Sequence, residues 1–582
     1  METQNSNDVD FELNLSTDEL ERRTNKDARV VTTLLKPDAK EFENLEKGDK
    51  KALKHLVKAA KILENIHLKL DNPNNIPFEK YLEKEVSKGN KDAEMTLKLF
   101  KAQKGMNALD TESHMINLAK GVEETDGKGF YPQDINADEL QNILIKMLEN
   151  GEADEVKKIV NQRSVVLRDG EKLKAVDFTE MYKDEFQQMA HEIEKAAQVS
   201  TNKDFNEYLV LQAKALRVAD PMADAYADKK WASLQDTPLE FTITRECYDD
   251  TLSTSISENE KLLKLLDDAN IQVYPKDSLG CRVGIVNKES TNDLLKIKHY
   301  LPKMAAMMPF NDKYEQNIKP EGDSKQTMVD VDLLILAGDC GAYRGGVTLA
   351  ENLPNDDKLS LTIGGGRRNV YHRQIRLGAT PEKVKERLNA VLDTEQHQFY
   401  NLEADHWFTI GHENTHSLGP TKGREKLGKY QSIIEENKAD MGSLSFVDML
   451  TKEGMYTEEQ RKQILVSYAA DNFLKAKPEL TQAHRVRSVM QNQFMIREGA
   501  VEISEEGKIH VNIDKIVPAA QKMLAEAISV QLSQDVNEAE KYVNKYFVWD
   551  DNCERVAEQL RKISKKLNGA LETPLADELE KD

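Results

Sequence analysis

One change of rhythm constrains this chain more than any other feature. From about residue 36 to 235 the apolar residues recur three and four apart, as in "KKALKHLVKAAKILENIHLKL" and "ADELQNILIKMLENG", so the region predicts helices. From about 238 the period shortens to two. "LEFTITRECY" alternates, and "CRVGIV", "DLLILAG", "GVTLAENL" and "LSLTIGGG" add further short strand candidates. The polar "PNDDK" between the last two predicts a hairpin or bulged connection. After about 378 the helical period returns and persists to about 570, while residues 1 to about 30 and 573 to 582 read as loosely held tails. Helix, small β block, helix predicts an α+β protein whose strands gather in one lobe.

Bulk properties narrow the function. At 582 residues the chain exceeds what one compact core accommodates, so at least two lobes are expected. Its longest apolar run, "VDLLILAG" at 331 to 338, is strand-length and far short of the ~18 residues a membrane helix needs. The N-terminus is polar and acidic without the apolar core of a signal peptide, and the four cysteines lie far apart with no CxxC pair. A cytoplasmic protein without a disulfide framework or a cysteine-built zinc site is expected. The net charge of −21 argues against a nucleic-acid partner, since such binding neutralises phosphates.

The chemistry concentrates at "FTIGHENTHSLGPTK", residues 408 to 422. On a helix His412 and His416 are about 400° apart, so both imidazoles leave one face, one turn apart. Two nitrogens so placed can hold zinc, and Glu413 beside them is positioned as a general base. Trp407, Ile410 and Leu418 fall on the opposite side of the wheel, where a core would anchor the helix. A third histidine three residues past Gly419 is excluded, because Lys422 stands there and a protonated lysine cannot ligate. Twenty residues after His416 comes "SIIEENKADMGSL", in which Glu436 and Asp440 share a helix face. One of them can ligate while the other accepts a hydrogen bond from a ligand histidine.

HExxH followed by EExxA[DE] resembles the dipeptidyl-peptidase III family of zinc exopeptidases, and "GHENTHSLGP…EENKAD" is most similar to its shorter members related to plant Nudix-fused proteins. The resemblance also takes in "ITRECYDD", "LAENLPNDDKLSLTIGGGRRNV" and "LTQAHRVRS", in family order across about 240 to 490. It implies one zinc ion per chain held by His412, His416 and Glu436, with Glu413 as base and Glu435 and Asp440 orienting the ligands. It further implies that Glu246 takes the substrate's N-terminal ammonium and that Tyr248 polarises the scissile carbonyl. Asn352 and Asn355 would bind the peptide backbone along a strand edge, and His484 would assist at the tetrahedral intermediate.

The implied fold is two lobes around a wide cleft, one mostly helical and bearing zinc, the other a small β core with helices. The implied division is 31–270 lower lobe, 271–335 an upper-lobe segment, 336–377 a return to the β core, 378–555 the zinc lobe and 556–582 a C-terminal helix and tail. The implied activity is release of N-terminal dipeptides from short peptides by water attack. A zinc aminopeptidase or other amide hydrolase, or a silent peptide-binding protein, are the alternatives. Two departures stand out. Longer members carry HExxxH rather than the five-residue form, and they place an arginine where this chain has Ser488, leaving Arg485 and Arg487 as the nearby cations. "IGGGRR" at 363 to 368 lacks the G-x-G-x-x-G context of a nucleotide site.

Overall fold

The computed structural model describes residues 10–25, 29–109, 115–122, 126–218, 220–246, 250–316, 318, 327–341, 350–353, 363–377, 381–563 and 567–581. Its architecture is α+β with two main hydrophobic cores, which define two lobes.

The first core forms around a five-stranded mixed sheet. Its strands are β1 (Leu239–Glu246), β2 (Ser278–Val286), β3 (Thr327–Gly338), β4 (Ala350–Leu353) and β5 (Arg368–Tyr371), in the order β1-β2-β3-β5-β4. β1, β2 and β3 run antiparallel in sequence, β5 is parallel to β3, and β4 closes the edge antiparallel to β5. Every residue of β2 and β3 is buried, which accounts for the near-continuous apolar text of "DLLILAG". Helix α1 (Lys47–Asp71) lays its apolar stripe across β2 and β3, and α2 (Lys183–Val199) and α3 (Lys203–Arg217) pack behind it.

The second core is helical. It is built from α4 (Leu402–His416), α5 (Gln431–Lys452), α6 (Glu458–Asp471), α7 (Ala483–Arg497) and α8 (Ile513–Ser533). The two cores meet at β3 and β5. Val329 and Val370 face the first core, while their neighbours Met328 and Tyr371 face the second, because adjacent strand residues point to opposite sides. The sheet therefore serves as the floor on which the helical lobe sits.

The structure departs from the sequence expectations in four places. The segment 271–335 divides: β2 and the greater part of β3 belong to the first core, whereas residues between Leu294 and Met308, with Ile318 and Met328, pack in the second. The described parts of both termini are held. Helix Thr17–Thr24 buries Leu20, strand Arg29–Thr33 pairs in parallel with Leu567–Glu572, and helix Pro574–Lys581 buries Leu575 and Ala576 in the first core. Within "LSLTIGGG" Ile363 and Gly364 form a turn, Gly365 and Gly366 have no regular structure, 359–362 lie outside the described residues, and the strand falls instead on "RNVY". Four residues are too few for a readable period. "PNDDK" also lies outside the described residues. Among the described residues no helix is long and apolar enough to cross a membrane.

Candidate metal centre

Helix α4 starts at Asn401, whose side chain accepts from the Glu403 amide at 3.0 Å. It then runs beneath α5 at very short range. A Cβ at Gly411 would lie 2.3 Å from Ser443 Oγ, and one at Gly442 would lie 2.3 Å from Thr415 Cγ2. Two facing glycines thus let the helices approach closely enough for α5 to deliver carboxylates to both histidines. Sequence periodicity carries no such signal. The pair of glycines, one just before the motif and one just after "KADM", is the feature that could have revealed the crossing.

The imidazoles are fixed from behind. His412 Nδ1 lies 2.6 Å from Asp440 Oδ1, and His416 Nδ1 lies 3.0 Å from Glu435 Oε1. Each Nδ1 faces a carboxylate, so in a neutral ring that donates its Nδ1–H there the Nε2 lone pair is aimed into the same space. The two Nε2 atoms are 3.2 Å apart, and Glu436 completes a triangle with Oε2 at 3.4 Å from His412 Nε2 and Oε1 at 3.8 Å from His416 Nε2. A tetrahedral ion with bonds of about 2.0–2.1 Å places its ligand atoms about 3.3 Å apart, so the donor set fits zinc. Glu436 Oε2 is buried without a hydrogen bond of proper geometry, although His412 and His484 lie within ion-pair range. Converging lone pairs and an orphaned carboxylate oxygen are what a cation would satisfy.

Cations surround the two orienting carboxylates. Burial alone would raise Glu435, but Lys438 and Arg424 outweigh it and hold its carboxyl well below the ordinary range. Lys438 Nζ is 2.7 Å from Glu435 Oε1, Arg424 Nη1 is 3.1 Å from Oε2, and Gln531 donates to Oε2 at 2.9 Å. Asp440, fully buried, is likewise held low against its burial by Arg487 and His412, and Gln491 donates to it at 3.0 Å. Burial works to lower His412, yet its bonds to Asp440 and Glu436 prevail and lift it to about 10, whereas burial lowers His416. The carboxylates therefore call for positive charge between the two rings. A proton on His412 answers in part, and a divalent ion would answer in full.

Glu413 differs from its neighbours. It is 4% exposed, its nearest His412 contact is 4.0 Å, and burial raises its carboxyl to about 7. A carboxylate with that affinity for a proton is suited to accept and release one near neutrality.

The remaining expected residues are distributed as follows. His484 Nδ1 lies 3.2 Å from Glu436 Oε2, with its side chain 70% exposed, so it stands at the open side of the centre. Glu246 ends β1, on the sheet edge opposite β4. Tyr248 and Asn355 lie outside the described residues. Asn352, expected to meet a peptide, is buried and committed internally: its Nδ2 donates to Asn369, to the Glu413 carbonyl at 3.2 Å and to Ser417 at 3.4 Å. Arg367 grips its Oδ1 and, at 2.8 Å, its carbonyl. Ser488 is buried and donates to the His484 carbonyl at 3.1 Å, while Arg487 turns inward to Asp440. Arg424, Lys438, Arg487, Gln491 and Gln531, which steady the orienting carboxylates, were not marked by any spacing as part of the site.

With the geometry in place, the protein can be set among known folds. It has the two-lobed α+β architecture of the dipeptidyl-peptidase III structures. DPP III from Caldithrix abyssi superposes with a TM-score of 0.78 at 23% identity, covering 97% of this chain and 100% of that one. Dipeptidyl-peptidase III from Corallococcus sp. strain EGB does so at 0.78 and 20% identity, covering 97% and 98%. In sequence the chain is 22% identical over 596 aligned positions to Nudix hydrolase 3 of Arabidopsis thaliana, spanning 92% of this chain and 72% of that protein. No family model matches it.

Proposed function

We propose that this protein is a zinc-dependent exopeptidase of the dipeptidyl-peptidase III kind, releasing N-terminal dipeptides from short peptides. One observation carries the reading. His412 Nε2, His416 Nε2 and Glu436 converge at tetrahedral spacing while both Nδ1 atoms are already engaged by Asp440 and Glu435. The fold shared with dipeptidyl-peptidase III structures supports it.

Zinc bound there supplies a Lewis acid that polarises a carbonyl and acidifies water. Everything else is assigned to the chain. Asp440 and Glu435 hold each imidazole in the tautomer that presents Nε2. Glu413 takes a proton from the attacking water on its carboxylate and returns it to the departing amine nitrogen. His484, at the exposed side, donates to the oxyanion, with Tyr248 as a second donor; such donors contribute about 3 kcal/mol each. Glu246 pairs with the peptide's free ammonium and so measures the length released, and Asn355 binds the peptide backbone. Such an enzyme would work in the cytoplasm on free peptides.

The test is zinc content together with cleavage of a free-N-terminus pentapeptide, read by mass spectrometry, for wild type and Glu413→Gln. About one zinc per chain and dipeptide release that the substitution abolishes are the expected results. Single-residue release would assign the aminopeptidase alternative. Zinc without any cleavage would discard the peptidase assignment.

A further inference from the structure

Each orienting carboxylate divides its two oxygens in the same way. Glu435 gives Oε1 to His416 Nδ1, and Oε2 to Arg424 Nη1 at 3.1 Å and Gln531 Nε2 at 2.9 Å. Asp440 gives Oδ1 to His412 Nδ1, and Oδ2 to Arg487 Nη1 and to Gln491 Nε2 at 3.0 Å. One oxygen faces a ring, and the other is gripped from behind by an arginine and a glutamine that lie outside the two crossing helices. A carboxylate held at both oxygens cannot rotate, so the imidazole it meets is fixed in direction.

The grip on Asp440 has a seat of its own. Arg487 lies on α7, three residues past His484 and four before Gln491, so the three share one helix face. Its Nη1 is also 3.4 Å from Asn472 Oδ1 and 3.4 Å from Ser488 Oγ. Gln491 is fully buried, and the orientation of its amide is set from both ends. The Tyr468 hydroxyl on α6 donates to Oε1 at 2.9 Å, and Nε2 donates to Asn437 Oδ1 on α5 at 3.1 Å as well as to Asp440. Asp440 itself is fully buried, where a carboxylate is costly unless a cation meets it. Face by face, α7 meets the centre twice. His484 stands at its open side, 3.2 Å from Glu436 Oε2, and Arg487 with Gln491 stands behind His412.

We propose that Arg487 is a positioning residue that holds His412 in its metal-binding orientation through Asp440, rather than a contact for the peptide. The metal part rests on the His412, His416 and Glu436 donor set, and the kinetic part on the exopeptidase reading. A cation that met substrate would present its donors to the cleft. The Arg487 side chain is 17% exposed, and its Nη1 is directed inward to Asp440, Asn472 and Ser488.

Arg487→Met keeps an unbranched stem and removes the guanidinium. The experiment measures zinc affinity of the full chain by competition with a chelator, with and without added guanidinium ion at a concentration that leaves wild type folded. It also compares, at saturating zinc, the KM for a pentapeptide with a free C-terminal carboxylate and for the same peptide as its C-terminal amide. The expected result is zinc held about 10–100-fold more weakly, partly restored by guanidinium, with the ratio of the two KM values unchanged. Should the variant not fold, Arg487→Lys, which keeps the charge without the fork, is expected to show a smaller loss in the same direction. Equal zinc affinity in wild type and variant would overturn the proposal. So would a KM rise confined to the free-carboxylate peptide, which would make Arg487 a substrate contact, and so would a zinc loss that guanidinium leaves untouched, which would mark general loosening. If wild type holds zinc and cleaves neither peptide, the exopeptidase reading fails alone, and the chelator competition still decides the role of Arg487.

Discussion

The two lobes each bury a cluster of charge, and they satisfy it differently. In the sheet, Arg368 and Glu240 are both fully buried, 2.9 Å apart, and Glu240 also takes Trp231 Nε1 at 2.6 Å and the hydroxyl of Thr242. Arg368 further bonds the Leu234 carbonyl and stacks on Trp231 at 5.5 Å. Both Glu240 oxygens are occupied, and only Arg368 Nε lacks a hydrogen bond. In the helical lobe, Glu435 and Asp440 are just as fully engaged, but His412 Nε2, His416 Nε2 and Glu436 Oε2 converge on one another rather than on partners of their own. A cluster that only holds the fold together closes on itself. One able to hold a metal engages its outer partners in orientation and turns its inner atoms toward a common point.

This contrast can be broken experimentally, most decisively at the metal centre. Glu436→Gln should leave the protein folded but without zinc, and chelation of wild type should abolish hydrolysis until zinc is restored, as read by metal analysis and peptide cleavage. Glu413→Gln should keep the zinc and lose on the order of 10³-fold in kcat. Retention of both zinc and activity in either variant would mean that the convergent atoms do not form the active centre.

The closed cluster should respond in the opposite way. Arg368→Met leaves Glu240 charged and buried, so unfolding free energy should fall by about 3–5 kcal/mol while zinc per chain stays unchanged. Denaturant titration beside metal analysis reads both.

A third test sharpens the comparison through pH. Burial, with Asp330 nearby, raises Asp332 on β3 to about 7 from an ordinary 3.8. A carboxyl raised in the fold is protonated there while the unfolded chain has already ionised. Its contribution is therefore fully present below about 3.8 and is lost as pH rises through about 7. Asp332→Asn should match wild type at low pH and exceed it above pH 7, by on the order of 4 kcal/mol at about 1.4 per pH unit. Stability curves for the two proteins that run parallel across that window would refute the shift. The smallest effect is expected far from both clusters. Thr457 and Gln460 form a reciprocal cap at the start of α6, and Thr457→Ala should cost about 1 kcal/mol with activity intact.

Much of this was legible in the text of the chain, and the reasons differ by region. The candidate metal centre was accessible because its parts are local. Two histidines one turn apart and a carboxylate helix twenty residues on need only helical geometry and one crossing. The long helices and the strands β1, β2 and β3 were readable because their apolar patterns run for eight residues or more. "RNVY" was not, being four residues long with a buried arginine and asparagine that bond Glu240 and Asn352 on other strands. Both termini were misread for a related reason. Strand Arg29–Thr33 exists through pairing with residues more than five hundred positions away.

By itself, then, the sequence determined the α+β plan, the pair of histidines able to hold a metal, the glutamate beside the first of them that we propose as base, and the carboxylates able to complete the set. Those follow from period and spacing, which a chain carries with it. Period and spacing left open which carboxylate faces the Nε2 atoms and which face the Nδ1 atoms; the tertiary structure decides it through how two glycines let α4 and α5 cross. It also decided that Asn352 turns toward the Glu413 carbonyl. A strand exposes its residues alternately to two sides, and only the packing of the second lobe made one of those sides the end of the motif helix.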